Sequence, residues 1–276
     1  MATTRFGRIL FPVDFTPHCR AVAPVVAAWA ERFDATVTLL HATDLPPGAY
    51  ADWYAFMNLM DVERYRQHAR SQLHHFLAET FGTVPVERGL AEGAAGPAIV
   101  DYARTHHIDL IMMPTRGLNR FRTLLLGGVT AHVLHDAECP VWTEAHLESE
   151  EKLPLACRTV ICAIDLGPAS ERTLQVAAAV AGRFQSEIRV VHACSDSEPE
   201  RAKALAAYEK LAAAAGVGGR LEMLEGGPAQ AVASAAAAHG ADLVVIGRGR
   251  VHETLGRLRD HAHAIIRTSP CPVLSV

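Results

Sequence analysis

The chain lacks every spacing by which cysteines announce a metal site or a disulfide framework. Its six cysteines, Cys19, Cys139, Cys157, Cys162, Cys194 and Cys271, form no CxxC pair and no close cysteine and histidine set. Reduced thiols and no metal site are therefore expected. The fifteen histidines, some adjacent as in His74-His75 and His106-His107, read as surface residues. No apolar run approaches the ~18 residues that cross a bilayer. Residues 1–5 lead into a strand rather than a signal-peptide core, so a cytoplasmic chain with no membrane partner is expected. A surplus of basic residues is missing too: Lys and Arg number 26 against 30 Asp and Glu, a formal charge of −4. That balance excludes a general nucleic-acid binder. No Ser/His/Asp or paired-carboxylate arrangement stands out for turnover, and no catalytic residue is assigned.

What the chain has is apolar side chains, half of its 276 residues. This is enough for two ordinary cores, and the pattern comes twice. Ile9-Leu10-Phe11-Pro12-Val13-Asp14 returns as Val160-Ile161-Cys162-Ala163-Ile164-Asp165, and Val37-Thr38-Leu39-Leu40-His41-Ala42 as Ile188-Arg189-Val190-Val191-His192-Ala193. Asp14 to Asp165 and His41 to His192 are the same offset of 151 residues. Ile108-Asp109-Leu110 pairs with Ala241-Asp242-Leu243, and Cys139-Pro140-Val141 with Cys271-Pro272-Val273. Two domains are expected, 1–146 and 158–276, joined by a Glu-rich linker at 147–157.

Within each copy, short apolar runs alternate with helical stripes such as Val22, Val25, Val26, Trp29 and Phe33, and Thr16-Pro17 supplies a helix start. Alternation of this kind predicts an α/β fold: two tandem open five-stranded, mostly parallel sheets flanked by helices. The first copy carries 18 extra residues between His41 and Asp109, an aromatic insertion near 44–65 that includes Tyr50, Trp53, Tyr54 and Phe56. It reads either as a helix closing the domain's own core or as a surface for a partner or apolar ligand.

Ligands of such sheets bind outside the carboxyl ends of the strands. Asp14 and Asp165 end the first strand of each copy, placed to accept hydrogen bonds from a ribose or from loop N–H groups. The loop after strand four runs in copy one from Pro114 through Thr115, Arg116 and Gly117 to Gly127, Gly128, Val129 and Thr130. Its glycines allow close backbone approach, and the helix opening at Gly127-Gly128 offers free N–H groups to an anion.

At these residues the chain resembles the universal stress protein family, as a tandem member covering essentially the whole length. The resemblance implies the adenine nucleotide-binding, Rossmann-like fold of that family and ATP or a related adenine nucleotide as ligand. Its nucleotide-binding members use a loop of Gly, two residues, Gly, nine residues, Gly, then Ser or Thr. Here Gly117 and Gly127 keep the nine-residue gap, while Pro114 replaces the first Gly and Gly128 the hydroxyl residue. Loss of one hydroxyl bonded to a charged oxygen costs about 1.5–3 kcal/mol.

The nucleotide-contacting residues so implied are Pro12, Val13, Asp14, His41, Thr115, Arg116, Gly117, Gly127, Gly128, Val129 and Thr130. A weaker second site would use Ile164, Asp165, Gly247 and Gly249, its loop being one residue shorter with Arg259-Asp260 in place of the two glycines. Family likeness also implies a homodimer through the strand after Cys-Pro-Val, or an intramolecular pseudo-dimer of the two copies. The function expected is a stress-response binding module, with slow ATP hydrolysis at most. The alternative is a non-nucleotide interaction protein that binds a partner or apolar ligand through residues 50–60.

Overall fold

The computed structural model describes residues 5–43, 54–115, 127–144, 155–194, 197–248 and 257–276, with backbone alone at 54–62 and 257–260. The described residues fall into two compact units, one from residue 6 to 115 with Gly127–Cys139, the other from Pro140 on.

The N-terminal unit runs β1 (Arg8–Pro12), α1 (Pro17–Phe33), β2 (Thr36–Thr43), α2 (Tyr54–His75), β3 (Val86–Glu92), α3 (Ala95–Thr105), β4 (Leu110–Met113) and α4 (Gly128–Asp136). Its strands lie in the order β3-β2-β1-β4, every pair parallel. The C-terminal unit holds β5 (Val141–Thr143), β6 (Thr159–Ala163), α5 (Ser170–Phe184), β7 (Glu187–Cys194), α6 (Glu198–Ala215), β8 (Leu221–Glu225), α7 (Pro228–Ala238), β9 (Leu243–Ile246), α8 (Arg257–Thr268) and β10 (Val273–Ser275). Its order is β5-β10-β9-β6-β7-β8, parallel except for the antiparallel pair β5 and β10. The expected α/β class and five strands per repeat are both present.

One strand changes company. β5 closes the first repeat in sequence, yet Thr143, Trp142 and Val141 pair with Val273, Leu274 and Ser275, and the strand groups with the C-terminal unit. The Thr143 hydroxyl adds a 3.3 Å bond to the Val273 carbonyl.

The central strands are apolar because both faces are covered: Ile9, Leu10 and Phe11 of β1 and Val160, Ile161 and Cys162 of β6 are fully buried. α1 lays Cys19, Val22, Val26, Trp29 and Phe33 on this core, and Phe6 meets Phe33 edge-on at 5.0 Å between ring centres. The helix ends where Asp34 turns left-handed and returns its N–H to Ala30 and Glu31. Pro24 lies inside α1 on its exposed face, so the carbonyl one turn back is left to water rather than to a buried void.

The aspartate of each Asp-Leu repeat is a clamp at the other end of the sheet from any ligand. Asp109 Oδ2 accepts the N–H groups of Gly7 and Arg8, both at 2.9 Å, and Asp242 Oδ2 those of Arg158 and Thr159 at 2.6 and 3.0 Å. Each carboxylate thereby satisfies backbone donors at the start of its repeat's first strand. Among the described residues, no helix is long and apolar enough to cross a membrane.

Candidate functional site

Both repeats build one local structure at the carboxyl end of their first strand. Asp14 Oδ1 accepts the Thr16 N–H at 3.1 Å, the Thr16 hydroxyl at 2.5 Å and the Cys19 thiol at 3.1 Å. Asp165 Oδ1 accepts the Gly167 N–H at 2.8 Å and the Ser170 hydroxyl at 2.9 Å. Thr16 therefore stands at the N-cap position of α1 without bonding a helix N–H, because its hydroxyl is committed to Asp14. The residue between is left-handed in both copies, Phe15 at φ 64° and Leu166 at φ 61°. A bulky side chain at positive φ is uncommon, and holding it there twice requires a surrounding that outweighs the strain.

The repeated histidine supplies part of that surrounding. His41 Nδ1 donates to the Val13 carbonyl at 2.8 Å, and His192 Nδ1 to the Ile164 carbonyl at 2.9 Å. A carbonyl can only accept, so each Nδ1 carries a proton. Phe15 packs on the His41 ring at 4.4 Å and on Phe76 at 5.2 Å, with the Arg20 guanidinium 4.6 Å over Phe76.

In the N-terminal unit, β4 stands beside β1 with Leu10 opposite Ile111. The same register carried forward brings Thr115 beside Asp14. The Gly127 N–H donates to the Thr115 carbonyl at 3.2 Å, and the Thr130 hydroxyl donates to the Pro114 carbonyl at 3.2 Å. These bonds hold the first turn of α4 against the end of β4. Thr115 itself is 1 % exposed, and its Oγ1 has no hydrogen-bond partner among the described residues, an arrangement that costs about 1–3 kcal/mol when left unmet. Arg116 and Gly117, expected at this site, lie outside the described residues, as does Gly249 of the second copy. So do Tyr50 and Trp53; residues 54–60 are helical, opening α2.

In the C-terminal unit the corresponding place is a cavity of about 130 Å³. Ile164, Asp165, His192 and Gly247 line it together with Val232 and Ile265. A Cβ at Gly247 would come to 3.1 Å from the Thr173 hydroxyl oxygen, close enough that Thr173 would have to shift by a few tenths of an ångström.

Other candidates fall away from chemistry. Burial, and after it the Asp14 charge, push the Cys19 thiol up to about 12 from an ordinary 9.0. Burial does the same at Cys271, also to about 12. Neither thiol is poised as a nucleophile near neutral pH. Glu92 and Glu225 make matching ion pairs with Arg66 at 2.6 Å and Arg201 at 4.0 Å. Among the described residues, no group of three His, Cys, Asp or Glu is arranged to hold a metal ion.

The sequence points to Asp14, Asp165, His41 and His192 by their repetition. It gives no signal for Cys19 and Ser170, which occupy the same turn of the helix but share no residue type.

Comparison with known proteins agrees with this arrangement of repeats. The model of the universal stress protein family matches residues 5–143, 157–215 and 195–276. A universal stress protein of Thermus aquaticus is 30% identical over 137 residues, 49% of this chain and 96% of that protein. One of Methanocaldococcus jannaschii is 29% identical over 140 residues, 49% of this chain and 80% of that protein. Among solved structures, a universal stress protein from Archaeoglobus fulgidus superposes with a TM-score of 0.73 at 20% identity, covering 98% of both chains. That last likeness concerns the fold.

Proposed function

The chain belongs to the universal stress protein family, and from that premise we propose that it is a regulatory binding module of the stress response whose first repeat holds ATP or a related adenine nucleotide. Asp14, with Pro12, Val13 and His41 behind it, would face the nucleoside, and Gly127, Gly128, Val129 and Thr130 the phosphates. Arg116 and Gly117 belong to the same proposed site by sequence. The observation that carries the reading is the buried Thr115 hydroxyl, without a partner among the described residues, beside the N-terminal end of α4. A polar group left unsatisfied at the sheet's carboxyl end is relieved by a ligand that brings the missing partner.

The role so proposed is binding and signalling, in the cytoplasm, where six free cysteines are at home. The second repeat's Ile164, Asp165 and Gly247 stand in the corresponding place, and with Gly249 would make a weaker nucleotide seat. We also propose that the two repeats form an intramolecular pseudo-dimer. The ladder between β5 and β10, the strands that follow the two Cys-Pro-Val motifs, supports it.

Calorimetric titration with ATP of the full chain and of Val129→Asp tests the nucleotide reading. Val129 is 39% exposed in the first turn of α4, where a carboxylate favours the helix while repelling phosphate. ATP affinity is expected to fall at least about tenfold with stability kept, since one unfavourable charge at such a site is worth about 1–2 kcal/mol. Equal affinities, or no ATP heat from the unaltered chain, would end the reading.

A further inference from the structure

From Arg64 to Ala78 the chain carries no carboxylate, while Arg64, Arg66, His68, Arg70, His74 and His75 all fall within that stretch. It forms the C-terminal part of α2 and the turn after it. Ala69 and Leu73 are buried on the side of α2 that meets β2 and β3. Arg64, His68, Ser71 and His75 recur at i, i+4, i+7 and i+11, so they form one line about 16 Å long on the opposite side. All four are exposed.

Helix stability does not ask for such a face. A solvated helix mixes signs, with acid and base four residues apart, and like charges at that spacing repel. Here Arg64 precedes His68, and Arg66 precedes Arg70, by four. Arg66 is neutralised by Glu92 at 2.6 Å, with Glu63 at 3.8 Å. Arg64 and Arg70 have no carboxylate partner among the described residues. The helix dipole favours cations in the last turn, which explains His74 and His75 and leaves Arg64 and Arg70 without an internal reason. The patch also runs against the net charge of −4 of the whole chain.

We propose that the outward face of α2 docks an acidic helix of a protein partner. A helix laid along it presents carboxylates at the same three-and-four spacing, so its ridge meets the cationic line along its length. Arg takes a carboxylate through two parallel N–H bonds, and each His supplies an N–H in either charge state. Gln67, Gln72 and Tyr65, which is 46% exposed, flank the line. Tyr and Arg are side chains that interface centres favour. A lipid surface would need apolar anchors beside the cations, and among described residues 63–75 Tyr65 is the one large apolar side chain exposed. The face uses no residue of either proposed nucleotide seat, so the inference goes beyond that reading and does not rest on it.

Fluorescence anisotropy tests it with the full chain and a labelled Ala-rich helical peptide carrying Glu at i, i+4, i+7 and i+11. The same peptide with Gln in place of Glu is the comparison. The Glu peptide is expected to bind at least about tenfold more tightly, and raising the salt from about 50 to 300 mM should weaken it. Arg64→Glu with Arg70→Glu should weaken it by about tenfold or more, while the thermal melt stays close to that of the unaltered chain, because both side chains are exposed. If that variant does not fold, Arg64→Gln with Arg70→Gln should still weaken the Glu peptide several-fold. Equal affinity for the two peptides, no binding of either, or a variant that binds as tightly as the unaltered chain overturns the proposal. So does binding to phosphatidylserine vesicles without binding to the Glu peptide, which would assign the face to lipid headgroups.

Discussion

At the scale of single residues, the two copies share a device rather than a sequence. Cys19 and Ser170 sit 151 positions apart and deliver the same kind of bond to the same carboxylate oxygen. The repeated aspartate and histidine are legible in the chain because each recurs at that offset at the end of a matching apolar run. Their partners are not, because a thiol and a hydroxyl can fill one role and a left-handed Phe or Leu follows no turn rule. The buried thiols carry a pH consequence. Cys19, Cys157, Cys162 and Cys271 are pushed up to about 12 from 9.0, in each case by burial first. Below about 9 they are protonated in folded and unfolded chain alike. As pH rises toward 12 the unfolded chain sheds protons that the folded chain retains, so their contribution to stability is lost across that window. Urea midpoints are expected to fall from pH 8 to pH 10, and Cys162→Val should lessen the fall. An unchanged midpoint would show that these thiols ionise as freely folded as unfolded.

At the scale of elements, the alternation of apolar runs and helical stripes reads directly, since buried parallel strands and amphipathic helices leave distinct periods in the chain. Boundaries are less legible. Pro24 would ordinarily divide α1, and it is tolerated because it faces water on an otherwise continuous buried stripe. The short β5 joins the C-terminal unit through its pairing with β10. Trp142 is 1% exposed and paired with Leu274, so its removal leaves both a cavity and a loosened edge. Trp142→Ala is expected to cost about 3–5 kcal/mol. Hydrogen exchange should show the loss at β10, and protection there equal to that of the unaltered chain would contradict it.

At the scale of the whole molecule, duplication was evident from the offset, and the class of fold followed from it. The allegiance of β5 was not, because three residues ahead of a linker carry no mark of the strand they will meet 130 positions later. On the pseudo-dimer proposed above, β5 and β10 take up each other's hydrogen-bonding edge within one chain. Light scattering is expected to give the mass of one chain, 29.7 kDa. Twice that mass would return the edge to an intermolecular role. The same ladder sets an order of events during synthesis. When Val141–Thr143 leaves the ribosome, β10 has not been made, and at about 5–20 residues per second the wait for that ladder is roughly 7–26 s. Until then Trp142, 1% exposed in the folded chain, lacks the Leu274 it is paired with.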